Sequence, residues 1–313
     1  MGEGRTRADA LDHVSRESRL TLLSTPKAFT GIFEVVQRNA ITSWTRLEPR
    51  PDIILFGDDA GTAEICDELG LRHVPDVRTT DLGTPLLSDM FLRGQDLATT
   101  PVVCWSNADI VFASGLDIAA DTMADHPTPL YVVGRRVDID QPTPLDLGPG
   151  WPEQLAARSA TEGERKPANW IDWFMFPTGL FTELPEFAIG RPGYDPWLIW
   201  KAADLGATVV DASELVLAVH QRHDYSHVGG RKVAFRGPEA EANAAIVDDW
   251  RHYHSINFAS RRFTPDGRLV PATAPRYRLA KPRSYLAHAL RFTRPMRQRL
   301  LGETATRRRS ASS

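Results

Sequence analysis

The chain has 313 residues, a net charge of −3, and 42% hydrophobic and 25% charged residues, the balance of an ordinary globular protein. That excludes collagen-like, wholly disordered and disulfide-scaffold chains, and no apolar run reaches the roughly 18–20 residues of a membrane-spanning helix. Length alone allows one large domain or two small ones. The polar start, Met1–Arg19, lacks the apolar stretch of a signal peptide, so a cytoplasmic protein is expected. Cys66 and Cys104 stand far apart in apolar segments and read as reduced core residues.

Residues 1–19 read as a disordered leader, and Leu20–Leu23 as a short extended segment running into Ser24-Thr25-Pro26-Lys27. Phe33, Val36, Ala40 and Trp44 recur at spacings of three and four, which predicts a helix with one apolar face. Asp52–Phe56 is a buried-strand run, ended by Gly57-Asp58-Asp59. Gly61–Leu69 is a predicted helix that stops at Gly70. Leu86–Leu97 is a further helical window, Pro101–Trp105 a second buried strand, Gly115–Ala124 a helix and Leu130–Gly134 a third strand. This alternation predicts an α/β domain with a mostly parallel sheet flanked by helices. Ligands bind at the carboxyl ends of such strands. Here those ends carry Thr25-Pro26-Lys27, Asp58-Asp59 and Asn107-Ala108-Asp109.

Gln141–Trp151 and Ala156–Lys166 read as loops or a lid, followed by the aromatic-rich stretch Asn169–Phe181. A helix is predicted from Pro196 to about Leu205, with Asp195 as its N-cap. Ala207–Asp211 is a strand, and Val216–His227 brings His220, His223 and His227 to a strand end. Glu239–His252 is helical by pattern, which makes residues 231–275 a helical extension of a body spanning 20–230. From Arg276 onward there are eleven Lys/Arg and one acidic residue, Glu303, a surplus of +10 against −13 for the rest. This basic tail, 276–313, is either a solvated, partly disordered segment or a peripheral contact with anionic lipid; no specific nucleic-acid motif is present.

The polar clusters admit more than one role. Asp109 and Asn107 suit a hard divalent cation, or a turn bonded to its own backbone. Asp58 and Asp59 suit a base or ribose, or a helix cap. Asp195, flanked by Tyr194 and Trp197, suits a general base, or the cap already named. His220 and His223 suit a metal or a phosphate, though no spacing matches a structural zinc site. Trp173, Phe174, Phe176, Tyr194, Trp197 and Trp200 suit core packing, with a minority free to stack on a sugar or base.

In order, these phrases resemble GT-A nucleotide-sugar transferases, in particular the family 2-like glycosyltransferases. The likeness spans residues 20–228 and is carried by Thr25–Phe29, Ile54–Asp59, Thr84–Ser88, Trp105–Val111, Asp172–Pro177, Gly193–Leu198 and Ala218–Gln221. It implies a GT-A fold and metal-assisted transfer of a sugar from a nucleotide-sugar donor to a glycan, lipid-linked or small-molecule acceptor. It implies that Thr25, Lys27, Asp58, Asp59, Ser88 and Asn107 line the donor pocket. Asp109 and His220, with His223 in reserve, would hold Mn2+ or Mg2+. Asp172, Trp173 and Trp197 would meet the acceptor, and Asp195 would be the base of an inverting reaction. The sequence departs from the family at two points: the first Asp of Asp-X-Asp is Asn107, and the Glu-Asp pair is Tyr194-Asp195. Two other functions share these features. One is a non-catalytic nucleotide-binding scaffold. The other is a sugar-phosphate nucleotidyltransferase, against which the absence of a glycine-rich run at 24–27 counts.

Overall fold

A computed structural model describes residues 17–223 and 235–280. Most of the leader, His227 and most of the basic tail lie outside the described residues. The chain alternates strands and helices: β1 (Leu20–Ser24), α1 (Ile32–Trp44), β2 (Asp52–Phe56), α2 (Thr62–Leu69), β3 (Arg72–Val74), α3 (Leu87–Leu97), β4 (Val102–Ser106), β5 (Ile110–Ser114), α4 (Leu116–Asp125), β6 (Leu130–Val133) and β7 (Arg136–Ile139). Then come α5 (Trp151–Glu162), β8 (Glu164–Arg165), β9 (Trp173–Pro177), α6 (Tyr194–Asp204), β10 (Thr208–Asp211), β11 (Leu217–Gln221), α7 (Pro238–Val247), β12 (Arg261–Phe263), β13 (Leu269–Pro271) and a short helix, Pro275–Arg278. The expected mostly parallel α/β architecture is present. Among the described residues, no helix is long and apolar enough to cross a membrane.

Among the described residues, nine strands form one sheet in the order β13-β12-β10-β6-β9-β4-β1-β2-β3, and β5-β11-β7-β8 form a second. In the large sheet β1 runs parallel to β2 and β4, and β10 to β6 and β12, while β9 lies antiparallel between β4 and β6. The carboxyl ends of β1, β2, β4, β6 and β10 therefore share one edge. The central strands β2, β4, β6 and β9 are nearly continuous apolar runs because both faces are covered. Leu22, Leu55, Cys104, Met175 and Val132 pack on one side, and Leu23, Ile54, Val103, Phe174 and Tyr131 on the other. Both cysteines are buried and unpaired, and burial pushes the Cys66 thiol up to about 11.

Local signals explain most element ends. The predicted face of α1 is buried at Phe33, Val36, Ala40 and Trp44, and the Trp44 indole donates to the Ile110 carbonyl at 2.8 Å. Gly70 closes α2 in the left-handed conformation, φ 62°, where a side chain would be strained. Gly115 joins β5 to α4 at φ 79°, and a Cβ there would stand 2.3 Å from the Leu215 carbonyl oxygen. Gly115→Ala should therefore cost about 1–3 kcal/mol for the backbone conformation alone, with the clash adding to it. A lower urea midpoint at unchanged m-value would show this.

Two expectations are corrected. Helix α6 begins at Tyr194 with Gly193 at the N-cap position and no side-chain cap. Asp195 is inside the first turn, so its carboxylate is not spent on capping. The segment 231–275 is not simply helical: α7 is followed by β12 and β13, which extend the large sheet through β10. Three-residue strands that carry two arginines at a sheet edge leave little apolar alternation to read.

Candidate functional site

The site forms where the edge of the large sheet meets the second sheet. Asp109 follows β4 and precedes β5. On β11, His220 pairs with Ile110 of β5 on one side and with Asp138 of β7 on the other. That register brings Asp109, His220 and Asp138 together. Gln221 fixes the arrangement: its side-chain amide donates to the Asp109 carbonyl at 3.2 Å and to the Val36 carbonyl at 2.7 Å.

The Asp109 Oδ2 lies 2.8 Å from His223 Nε2 and 3.7 Å from His220 Nε2. One ligand atom from each of the three lies within 4.8 Å of the others. Asp109 Oδ1 is buried and has no hydrogen-bond partner among the described residues. Burial raises the Asp109 carboxyl, but His220, His223 and Lys27 outweigh it and hold the group well below the usual carboxylate range. His223, the reserve ligand by sequence, thus stands nearer to Asp109 than His220 does.

His220 Nδ1 faces Asp138 Oδ1 at 3.2 Å, an arrangement that turns Nε2 toward the Asp109 side. A carboxylate behind a histidine fixes its tautomer and ring orientation. Asp138 is itself held by Arg136 at 2.8 Å and Lys166 at 3.3 Å. Its carboxyl is kept low: burial opposes ionisation, and His220, Arg136 and Lys166 overcome it. Asp138→Asn should weaken divalent-cation affinity by about 10–100-fold. Calorimetric titration with Mn2+ measures the change, and unaltered affinity would show that Asp138 does not support the site.

Arg136 is buried and reaches Asp172 at 2.7 Å as well as Asp138. Its charge is retained because the two carboxylates more than offset burial. Trp170 lies against both cations, 5.1 Å from Arg136 and 5.2 Å from Lys166. Asn107 does not turn toward Asp109. Its Nδ2 donates to Asp172 Oδ1 at 2.9 Å, and its backbone N–H to the Asp172 carbonyl at 2.9 Å. An aspartate at 107 would face Asp172 with like charge; the asparagine supplies a donor instead.

Lys27 closes the site on another side. Gln37 bonds both its N–H and its carbonyl, and its ammonium sits over the Phe33 ring at 4.7 Å. That ring packs on His223 with centroids 4.9 Å apart. Burial lowers the Lys27 pKa, with Asp109 pulling it up and Arg191 pushing it down. Asp195 is partly buried, and desolvation together with the Asp172 charge pushes its carboxyl well above the usual range.

Thr25 hydrogen-bonds the Phe56 carbonyl at 2.9 Å and joins β1 to β2. Asp58 and Asp59 are exposed at the end of β2, and neither side chain caps α2. Burial and the Asp58 charge raise the Asp59 carboxyl. Ser88 is buried in the first turn of α3, its hydroxyl without a partner among the described residues. Trp173 is wholly buried against Phe112, and Trp197 packs on Phe187 and Trp200. Both rings belong to the core, so the expectation that they meet an acceptor is corrected. Sequence reading missed Arg136, Asp138, Lys166, Trp170 and Arg191. One signal was available: Arg136-Val137-Asp138 places charges at alternate positions of a strand directly after Leu130–Val133.

No family model matches the chain, and no curated protein does either. Among solved structures, the chain is similar to the mannosyltransferase PcManGT from Pyrobaculum calidifontis, described in complex with GDP-Man and Mn2+. The two share 13% identity and a TM-score of 0.42, over 69% of this chain and 60% of that one. It is similar to S. aureus TarS 1-349 at 11% identity and TM-score 0.44, over 65% and 60% of the two chains. It is similar also to glucosyl-3-phosphoglycerate synthase from Mycobacterium tuberculosis, described with Mn2+, UDP and phosphoglyceric acid, at 12% identity and TM-score 0.44, over 82% and 87%. The chain spans about 60% of the length of the first two.

Proposed function

We propose that the chain is a glycosyltransferase that moves a sugar from a nucleoside-diphosphate donor to an acceptor hydroxyl with the help of a divalent cation. The observation that carries this reading is the Asp109, His220 and His223 cluster with its buried, unpartnered carboxylate oxygen, set at the strand edge where such sheets bind ligands. One carboxylate and two imidazoles form a mixed oxygen and nitrogen set that fits Mn2+; Mg2+, which prefers oxygen, is the second choice. Bound there, the cation would stabilise the charge of the departing diphosphate.

The protein supplies the rest. Asp109 is held ionised and ready to ligate. Asp138 orients His220. Lys27, close enough to Asp109 to act on its charge, adds a cation for phosphate oxygens. Thr25, Asp58 and Asp59 line the nucleoside end, where two exposed carboxylates can accept hydrogen bonds from a ribose or base. Asp195 takes the proton of the acceptor hydroxyl, on the opposite side from the leaving group, and this gives inversion. Asn107 serves the site through Asp172 rather than through the cation.

The test is a thermal-shift series with UDP, GDP, TDP and CDP, with and without Mn2+. A ligand that binds only the folded state raises the melting temperature by mass action. One diphosphate should raise it in a Mn2+-dependent way, and Asp109→Ala should abolish the shift. No shift with any of them in folded protein would overturn the reading.

A further inference from the structure

Past the carboxyl end of β10, the turn Asp211–Glu214 gathers arginines from three distant parts of the chain. The Arg135 backbone N–H donates to Ser213 Oγ at 2.9 Å, and Arg165 Nη2 donates to the Ser213 carbonyl at 3.1 Å. Arg276 Nη2 lies 3.7 Å from Asp211 Oδ2 and 3.8 Å from Glu214 Oε1. The two carboxylates of the turn already have other partners. Asp211 accepts from the Ser213 N–H and from the Tyr277 hydroxyl, both at 2.9 Å. Glu214 pairs with Arg262 at 2.8 Å.

Guanidinium donors are left over. Arg135 is half-buried, and among the described residues its side chain makes no hydrogen bond or ion pair. Arg276 Nη2 donates to the Tyr277 hydroxyl at 2.6 Å, but its Nε is buried without a partner among the described residues. Burial lowers the Arg135 pKa; Asp211 opposes this, and the Arg276 and Arg165 charges add to it. Unsatisfied buried donors and crowded like charges both cost stability, and a bound anion relieves both. Arginine forks match the oxygens of phosphate and carboxylate in pairs.

We propose that Arg135, Arg165 and Arg276 form an anion subsite for a phosphomonoester group. β6 ends on the same sheet edge as β1 and β4, and the residue after Arg135 is Arg136, which holds Asp172 and Asp138. The subsite therefore lies beside the acceptor end of the site, opposite the nucleoside end at β2. Assigning the phosphate to the acceptor rests on the transferase reading; the subsite itself does not.

Calorimetric titration of the full chain with inorganic phosphate, free of divalent cation and nucleotide, tests it. Saturable binding is expected in the wild type and in Asp109→Ala, with affinity lowered about tenfold or more in Arg135→Gln. Arg165→Gln, judged folded by circular dichroism, should show the same loss and guards against a misfolded first variant. Absent binding, wild-type affinity in both arginine variants, or loss in Asp109→Ala would overturn the proposal. Glycerol phosphate and vesicles of phosphatidic acid in phosphatidylcholine distinguish the sources. Co-sedimentation that is lost in Arg135→Gln supports a lipid headgroup, and glycerol phosphate binding without co-sedimentation supports a soluble acceptor. Binding of a nucleoside diphosphate with Mn2+, measured on the same samples, keeps the two readings apart. Its failure overturns the transferase and leaves the subsite standing, and the converse holds for phosphate.

Discussion

Asp109→Asn is expected to abolish divalent-cation binding and to lower turnover by about 10²–10⁴-fold. The size follows from the several kcal/mol of charge stabilisation that a bound cation supplies, at tenfold per 1.36 kcal/mol. Asparagine keeps the shape but removes the negative charge that His220, His223 and Lys27 surround. Three cationic or potentially cationic groups would then face one another without their common partner. The expected record is a wild-type melting temperature that rises with Mn2+ and a variant whose melting temperature does not. Binding should also weaken as pH falls, because imidazole ligates only when neutral. A variant that retained Mn2+ affinity would remove Asp109 from the site.

Asp195→Asn is expected to lower kcat by about 10²–10⁴-fold, the usual contribution of a positioned general base, with little change in cation binding. The Asp195 carboxyl titrates well above its ordinary range because it is desolvated and close to Asp172. The base is active only when ionised. Activity should therefore rise with pH through this elevated pKa, and that limb of the profile should vanish in the asparagine variant. Stability should move the other way. Below about pH 4, near the ordinary aspartate value, the carboxyl is protonated in both folded and unfolded chains and contributes nothing. Above it the unfolded chain ionises first, so the folded state loses ground until the raised pKa is passed. Asp195→Asn should thus be more stable than the wild type at neutral pH, by an amount that shrinks on acidification. Denaturation curves at pH 4 and pH 7 measure it; equal stability differences at both would show that Asp195 is not desolvated.

The large sheet was legible because its strands are continuous apolar runs and its helices carry one apolar face. Phe33, Val36, Ala40 and Trp44 announce α1 with no knowledge of what they pack against. Asp109 was legible from its place after a strand, and His220 and His223 from theirs. What the sequence does not show is register. Nothing in Val137 or Val219 says that β7 and β11 lie side by side, yet that pairing is what sets Asp138 behind His220. The corrected residues have the same cause. Trp173 looks available to an acceptor in a string of aromatics, and only strand pairing shows that its side chain faces Phe112. Asp195 reads as a cap because Asp before Pro is a common helix start. Gly193, with φ 119°, takes that position instead, a backbone choice that glycine permits and that a propensity argument gives to the aspartate.

Arg136 joins two halves that chemistry would treat separately. One of its partners, Asp138, stands behind His220, and the other, Asp172, is the residue that the proposed reaction would turn to the acceptor. An acceptor hydroxyl that donates a hydrogen bond to Asp172 should alter how tightly Arg136 holds Asp138, and so the basicity of His220. Thermodynamic linkage requires the return influence to be equal, so the factor by which cation loading changes acceptor affinity is the factor by which the acceptor changes cation affinity. A single guanidinium thus makes order of binding a property that can be measured as one number from either side.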